Sequence, residues 1–243
     1  MKKIVLAALL ASVTFAPQAA EKIRFASSAT YPPFESLNGE NQIVGFDIDL
    51  ANALCAQMKA ECSFSNNPFD SLVPALKFRR YDAVISGMDI TAERSKQVSF
   101  TRPYYANSAS IIAQKGKFTA IAQLKGKRVG VENGTTHQRY LQEKHPEIVT
   151  VAYDSYQNAI LDLKNSRLDG ILGDSAVVGA WLKTNANLAS VGEHITDSDF
   201  FGTGIGIAVR KDNQALLDQF NAAIDVLKAN GTIDRLNQRW FAR

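Results

Sequence analysis

Ser86-Gly87-Met88-Asp89-Ile90-Thr91-Ala92-Glu93-Arg94 sets a hydroxyl, a carboxylate, bare backbone and a guanidinium within one short turn. The run before it, Tyr81-Asp82-Ala83-Val84-Ile85, is mostly apolar and follows a charged helix end, the pattern of a buried strand in a parallel sheet. The strand stops at Ser86-Gly87. Thr91 then caps a helix whose first turn holds Arg94 and Glu93, the latter suited to the positive end of the helix dipole. Open parallel sheets bind ligands at this place, outside the carboxyl ends of their strands. A carboxylate lying there would meet backbone N–H groups around Thr91 and the two-pronged Arg94 side chain. An ammonium group would want Asp89 and the Gly87 carbonyl, so the loop suits a zwitterion. A plain surface ion pair between Asp89 and Arg94 is the alternative for such a loop taken alone.

The composition bounds what surrounds this loop. A chain of 243 residues, 46% hydrophobic and 21% charged, has the material for one large or two small globular domains. Met1-Lys2-Lys3, the apolar Ile4 to Ala11, and Ala16-Pro17-Gln18-Ala19-Ala20 have the three-part layout of a secretory signal over residues 1–20. The apolar run is shorter than the roughly 20 residues a membrane span needs. Without Lys2 and Lys3 the 27 basic side chains become 25 against 24 acidic ones, so the formal charge falls from +3 to +1. Such a chain lacks the basic field of a nucleic-acid binder. Export permits a disulfide, and Cys55 and Cys62, the only cysteines and one helix end apart, are expected to be bonded. Two cysteines and the dispersed His137, His145 and His194 do not make a metal site, so neither metal nor cofactor is expected.

Outward from the loop the chain reads as two lobes. Lys22 to Ala26 alternates like a first strand, followed by the stiff Tyr31-Pro32-Pro33-Phe34. Asn38 to Asn41 looks like a turn, and Gly45-Phe46-Asp47 opens a helix with Leu50, Leu54 and Met58 on one face. Phe64 sits in a second strand. Asp70 is the expected cap of a helix ending near Arg79. The apolar strand Ala109 to Ala113 is the expected crossing between lobes. A strand at Val129-Gly130-Val131 ends at Glu132, and Thr135 and Gln138 are spaced as a capping box. Phe69-Asp70-Ser71 leading to Ser86-Gly87 then recurs as Tyr153-Asp154-Ser155 leading to Gly173-Asp174, which places Asp174 at the strand end of a second, similar lobe. The Gly-spaced stretch from Phe200 to Val209 reads as a returning strand. A closing helix carries Leu216, Leu217, Phe220, Ala223, Ile224 and Leu227, and a last short one holds Trp240.

With these residues in place the chain resembles the periplasmic solute-binding proteins of polar amino-acid ABC transporters, above all the members that bind arginine, the lysine/arginine/ornithine group and histidine. The resemblance covers the whole mature chain. It rests on Tyr31-Pro32-Pro33-Phe34, Gly45-Phe46-Asp47-Ile48-Asp49-Leu50, Phe69-Asp70-Ser71-Leu72, Asp89-Ile90-Thr91 with Arg94, Gly134-Thr135-Thr136 and Gly231-Thr232-Ile233. It implies an α/β fold of the two-lobed periplasmic binding protein type II kind, joined by a two-segment hinge: residues 21–109 with 207–243, and residues 110–206. It further implies a monomer that binds L-arginine or another basic amino acid, closes on it, and meets an inner-membrane ABC permease transiently.

By the same resemblance, Arg94 and the backbone around Thr91 and Thr136 hold the ligand carboxylate, and Gly87, Asp89 and Asp174 hold its amino group. Tyr31 and Phe69 sandwich its side chain, with Ser86, Met88, Thr135 and His137 alongside. Where lysine/arginine/ornithine binders carry an aspartate, this chain has Ser28, and Glu132 is the expected replacement from the other lobe. Asp89, Asp174 and Glu132 against Arg94 give the pocket a charge of about −2, which suits a cationic ligand. An enzyme on the same fold would use Glu132 or Asp174 as general acid, but such a pocket repels anionic ring acids. An extracellular sensor domain is the third class.

Overall fold

The computed structural model describes residues 21–242; the signal-like segment lies outside them. The first half runs β1 (Lys22–Ser27), β2 (Thr30–Tyr31), β3 (Glu35–Leu37), β4 (Ile43–Val44), α1 (Phe46–Met58), β5 (Glu61–Asn66), α2 (Phe69–Lys77), β6 (Ala83–Val84), α3 (Ala92–Gln97) and β7 (Ser99–Phe100). The second runs β8 (Ala109–Gln114), β9 (Arg128–Glu132), α4 (Thr136–Lys144), β10 (Val149–Tyr153), α5 (Tyr156–Lys164), β11 (Gly170–Asp174), α6 (Ser175–Thr184) and β12 (Leu188–Ile195). The chain then returns through β13 (Ala208–Val209), α7 (Gln214–Ala229) and α8 (Thr232–Phe241).

Two five-stranded sheets result, in the orders β5-β1-β6-β13-β7 and β10-β9-β11-β8-β12. In each, three parallel strands are flanked on one side by two antiparallel partners. The internal resemblance of sequence is thus matched by topology: α2 leads to β6 as α5 leads to β11, and β6 lies parallel to β1 as β11 lies parallel to β9. Strands buried on both faces need unbroken apolar runs, which Ile111, Ile112, Ile171 and Leu172 supply. A small third sheet, β2-β3-β4, carries the turn at Asn38 to Asn41. Cys55 and Cys62 are bonded, tying α1 to β5.

The pairings locate the two crossings. Ala109 already pairs with Asp174 and Ile195 in the second sheet, whereas Ile205 bridges to Asp89 and Tyr105 in the first lobe. The changeovers therefore fall between Tyr105 and Ala109 and between Phe201 and Ile205, so β8 is an inner strand of the second sheet and not the crossing itself. The expected strand from Phe200 to Val209 is a strand only at Ala208–Val209. Phe200 and Phe201 pack instead on Tyr140 in the second lobe.

Local capping also departs from expectation. Asp70 does not cap α2, whose first turn it occupies behind Pro68; its carboxylate accepts from Asn133 Nδ2 at 2.7 Å. Thr135 does cap α4 by accepting from the Gln138 N–H at 3.2 Å, but the Gln138 side chain accepts from the Gly134 N–H, one residue before the box position. Helix α6 and strand β12 had no distinctive signal in the sequence.

Candidate ligand-binding site

In the first lobe the site grows from the loop after β6. The Ile90 N–H donates to Gly204 O (2.9 Å) and the Gly206 N–H to Met88 O (3.1 Å), so the returning chain holds the loop in place. Gly87 takes φ 52°, a left-handed conformation that glycine adopts without penalty, and its N–H donates to Asp47 Oδ2 at 2.7 Å. Thr91 caps α3 by accepting from the Arg94 N–H at 3.2 Å. The Arg94 guanidinium turns back over the loop, donating from Nη1 to Asp89 O at 3.0 Å and lying 5.4 Å from the centre of the Phe69 ring.

In the second lobe, β9 delivers Glu132 and the start of α4 delivers Thr135, Thr136 and His137. Thr135 Oγ1 donates to Glu132 O at 2.6 Å, which fixes the turn between them. Strand β11 ends at Asp174, held by three side chains: Tyr31 donates to Oδ2 (2.9 Å), Asn107 donates to Oδ1 (2.6 Å), and His137 Nε2 lies 3.1 Å from Oδ1. His137 Nδ1 in turn lies 3.1 Å from the Tyr156 hydroxyl.

The lobes are in contact across the cleft. Thr136 Oγ1 donates to Asp89 Oδ2 at 2.6 Å, Arg94 Nη2 donates to Gly134 O at 3.2 Å, and Arg139 pairs with Glu93. Asn107, in the outward crossing, donates through Nδ2 to Asp89 Oδ1 (2.7 Å) as well as to Asp174, so one amide joins the two aspartates.

These contacts sort the expected residues. Tyr31, Phe69, Gly87, Asp89, Glu132, Thr135, Thr136, His137 and Asp174 all line one narrow inner cavity of about 10 Å³ in this shut cleft. Thr91, Met88 and Arg94 line an outer cavity that shares Phe69, Thr135 and Thr136 with it. Ser28 and Ser86 line neither; they form the layer behind Gly87, where the Ser28 N–H donates to Ser86 Oγ at 2.9 Å. The two rings of the expected sandwich have different surroundings. Phe69 faces Arg94, whereas Tyr31 stacks on Tyr156 at 5.0 Å and, more offset, on Phe34 at 6.3 Å. Sequence reasoning missed Glu35, Asn107 and Tyr156. Glu35 follows directly on the Tyr31-Pro32-Pro33-Phe34 signature, which was a usable signal; Asn107 and Tyr156 had none.

Burial dominates the electrostatics. Glu35, Asp47, Asp89, Glu132 and Asp174 are each at most 3% exposed. Loss of water raises Asp89 to about 6, helped by the charge of Asp174 and opposed by His137, Arg94 and Thr136. Glu132, with only a long contact from Thr30 Oγ1 at 3.5 Å, is pushed by burial to about 8. The charge of about −2 counted from sequence assumes that Glu132 is ionised. Burial favours its neutral form near pH 7, so a count of −2 overstates the charge that the pocket carries there.

The model for bacterial extracellular solute-binding proteins, family 3, matches residues 23–243. The chain is 65% identical over 241 residues to the ABC transporter arginine-binding protein 1 of Escherichia coli K12, covering 99% of both. It superposes on a Salmonella typhimurium periplasmic binding protein of high arginine specificity with a TM-score of 0.89 at 55% identity, covering 91% of this chain and 100% of that one. An ancestral arginine-binding protein bound to arginine gives a TM-score of 0.85 at 36% identity, covering 92% and 100%. A match over nearly the whole described chain, with a cleft between two sheets of like topology, makes this protein a member of the bacterial extracellular solute-binding proteins, family 3.

Proposed function

We propose that the protein is the periplasmic substrate-binding component of an ABC importer for a basic amino acid, L-arginine foremost, and that it carries no catalytic activity. The signal-like N-terminus supports export to the periplasm, and the names of the relatives support arginine and an ABC permease partner. Arg94 and the backbone at Thr91 and Thr136 receive the carboxylate at the junction of the outer and inner cavities. Gly87 O, Asp89 and Asp174 receive the ammonium group. The side chain runs into the inner cavity past Phe69 and Tyr31 toward Glu132.

One observation carries the choice of a cation: the inner cavity is lined by the acids Asp89, Glu132 and Asp174 and by no lysine or arginine. A guanidinium brought to Glu132 favours its ionised form and supplies the counter-charge to that buried carboxylate, which a neutral side chain does not. Contacts from both lobes exist together only when the cleft is shut, so ligand shifts the population toward the closed form that a permease recognises.

Calorimetric titration of ligand-stripped protein with arginine, lysine, ornithine, histidine and glutamine tests this reading. Arginine is expected to bind tightest and glutamine weakest of the five. Glutamine binding as tightly as arginine would refute the cation assignment, and no binding of any of the five would refute the amino-acid assignment.

A further inference from the structure

Behind the ligand loop lies a second pair of acidic side chains that the binding scheme above does not use. Glu35 begins β3, and Asp47 sits in the first turn of α1. Both are fully buried. They meet because Gly45 lets the backbones touch: a Cβ there would lie 2.1 Å from Phe34 O. The Asp47 N–H donates to Phe34 O at 3.0 Å, which sets α1 against the segment holding Glu35.

The hydrogen bonds of the pair can be counted atom by atom. Asp47 accepts from the Gly87 N–H at Oδ2 (2.7 Å) and from the Tyr104 hydroxyl, 2.9 and 3.0 Å from its two oxygens. Glu35 Oε1 accepts from Ser86 Oγ at 2.9 Å, and that hydroxyl accepts from the Ser28 N–H. Glu35 Oε2 is buried and has no donor. Ser86 and Gly87, neighbours in the chain, each hold one of the two carboxyls, so two fully buried acids lie behind one loop, and two carboxylates so placed repel unless one of them keeps a proton. The other charged groups that act on the pair are the carboxyls of Glu132 and Asp174 from the second lobe, which add repulsion. Asp47 takes two donors and lies at the positive end of the α1 dipole, so the negative charge belongs to it and the proton to Glu35.

We infer that Glu35 is a positioning residue held as a neutral carboxylic acid: it gives its proton to Asp47, and the singly charged pair pins the Gly87 N–H at the floor of the ligand cavity. Glu35 is then a buried acid that lines the cavity without adding to its charge, and the ionised acids left to face a ligand cation come from the Asp89, Glu132 and Asp174 set. The Gly87 carbonyl is aimed because its own N–H is held from behind. This rests on the inner cavity being the amino-acid site.

Glu35→Gln separates the possibilities. A carboxamide keeps both roles of the neutral acid, accepting from Ser86 and donating to Asp47. Arginine affinity in Glu35→Gln is expected to stay within about three-fold of wild type from pH 6 to 9, whereas Glu35→Ala loses about ten-fold or more. Buried protonated carboxyls give infrared carbonyl bands in wild type at pH 7, Glu132 contributing one; a second band is expected to be lost in Glu35→Gln and kept in Glu132→Gln. Carbon-13 NMR of labelled wild-type glutamate carboxyls reads the same proton with no substitution. An ionised Glu35 signal at pH 7, or a loss beyond ten-fold in folded Glu35→Gln, overturns the inference. Wild-type protein that binds no amino acid would sink the function proposed above and leave the infrared and NMR signals to decide the proton on Glu35.

Discussion

Thr136 Oγ1 donates to Asp89 Oδ2 across 2.6 Å, joining the first turn of a helix in one lobe to the ligand loop of the other. The two residues lie 47 positions apart, and the bond spans the cleft. It contributes to closure without depending on the ligand side chain. Thr136→Val, which keeps the shape and removes the hydroxyl, is expected to weaken arginine and lysine alike by roughly 10- to 100-fold, the worth of one hydrogen bond to a charged group. Calorimetry on both ligands checks this; a loss confined to one ligand would mean that Thr136 acts on the side chain and not on closure.

Glu132 makes binding pH-dependent. Burial holds its carboxyl at about 8, so at pH 7 the acid is mostly neutral, and a guanidinium brought to it favours the ionised form. Arginine affinity is expected to rise with pH up to about 8 and then level off, and binding at pH 7 is expected to release most of one proton. Titrations in buffers of different ionisation heat measure that proton directly. Glu132→Gln removes both the release and the rise while leaving glutamine affinity nearly unchanged; an equal loss for the two ligands would place Glu132 outside the side-chain pocket.

Arg94 reaches both lobes, through Asp89 O in its own and Gly134 O in the other. Arg94→Ala is expected to weaken every amino acid by about 100-fold or more, because a two-pronged charged contact with the shared carboxylate is lost. Arg94→Lys keeps the charge without the fork and is expected to recover only part of that loss. Retained arginine affinity in Arg94→Ala would show that the carboxylate lies elsewhere.

The buried acids also set how stability changes with pH. Asp47 and Asp89 are each raised to about 6 in the folded protein, against an ordinary value of 3.8 when unfolded. The folded state therefore binds more protons between those values, and stability falls as pH rises through about 6, at a cost near neutrality of about 3 kcal/mol for each group. Glu132 extends the fall toward pH 8. Asp82, lowered by its bonds to Arg24, acts in the opposite sense but only at pH below its ordinary value. The ligand-free midpoint of thermal unfolding is expected to drop steadily from pH 5 to pH 8.5, and arginine to reverse most of the drop. A flat profile would mean that these carboxyls are hydrated in solution.

Much of the candidate site could be assembled from the sequence because its parts are local. Thr91, Asp89 and Arg94 lie within one turn, and strand ends followed by helix starts announce where a ligand can sit. The repeat at Phe69 and Tyr153 revealed the second lobe for the same reason. Helix α6 and strand β12 have no such short-range signature, and the crossing points depend on which strand pairs with which. Asn107 joins Asp89 to Asp174, residues 85 positions apart, so nothing near it in sequence marks its role.

By itself the amino-acid order determined the class of fold, the pairing of the two cysteines, and the residue types offered to a zwitterion. Those follow from periodicity, composition and capping, which act over a few residues. Only the tertiary structure decided the protonation of the acids. Whether a carboxyl is an anion depends on the water, hydroxyls and charges around it, and at Glu35, Asp47 and Glu132 those arrive from segments distant in the chain.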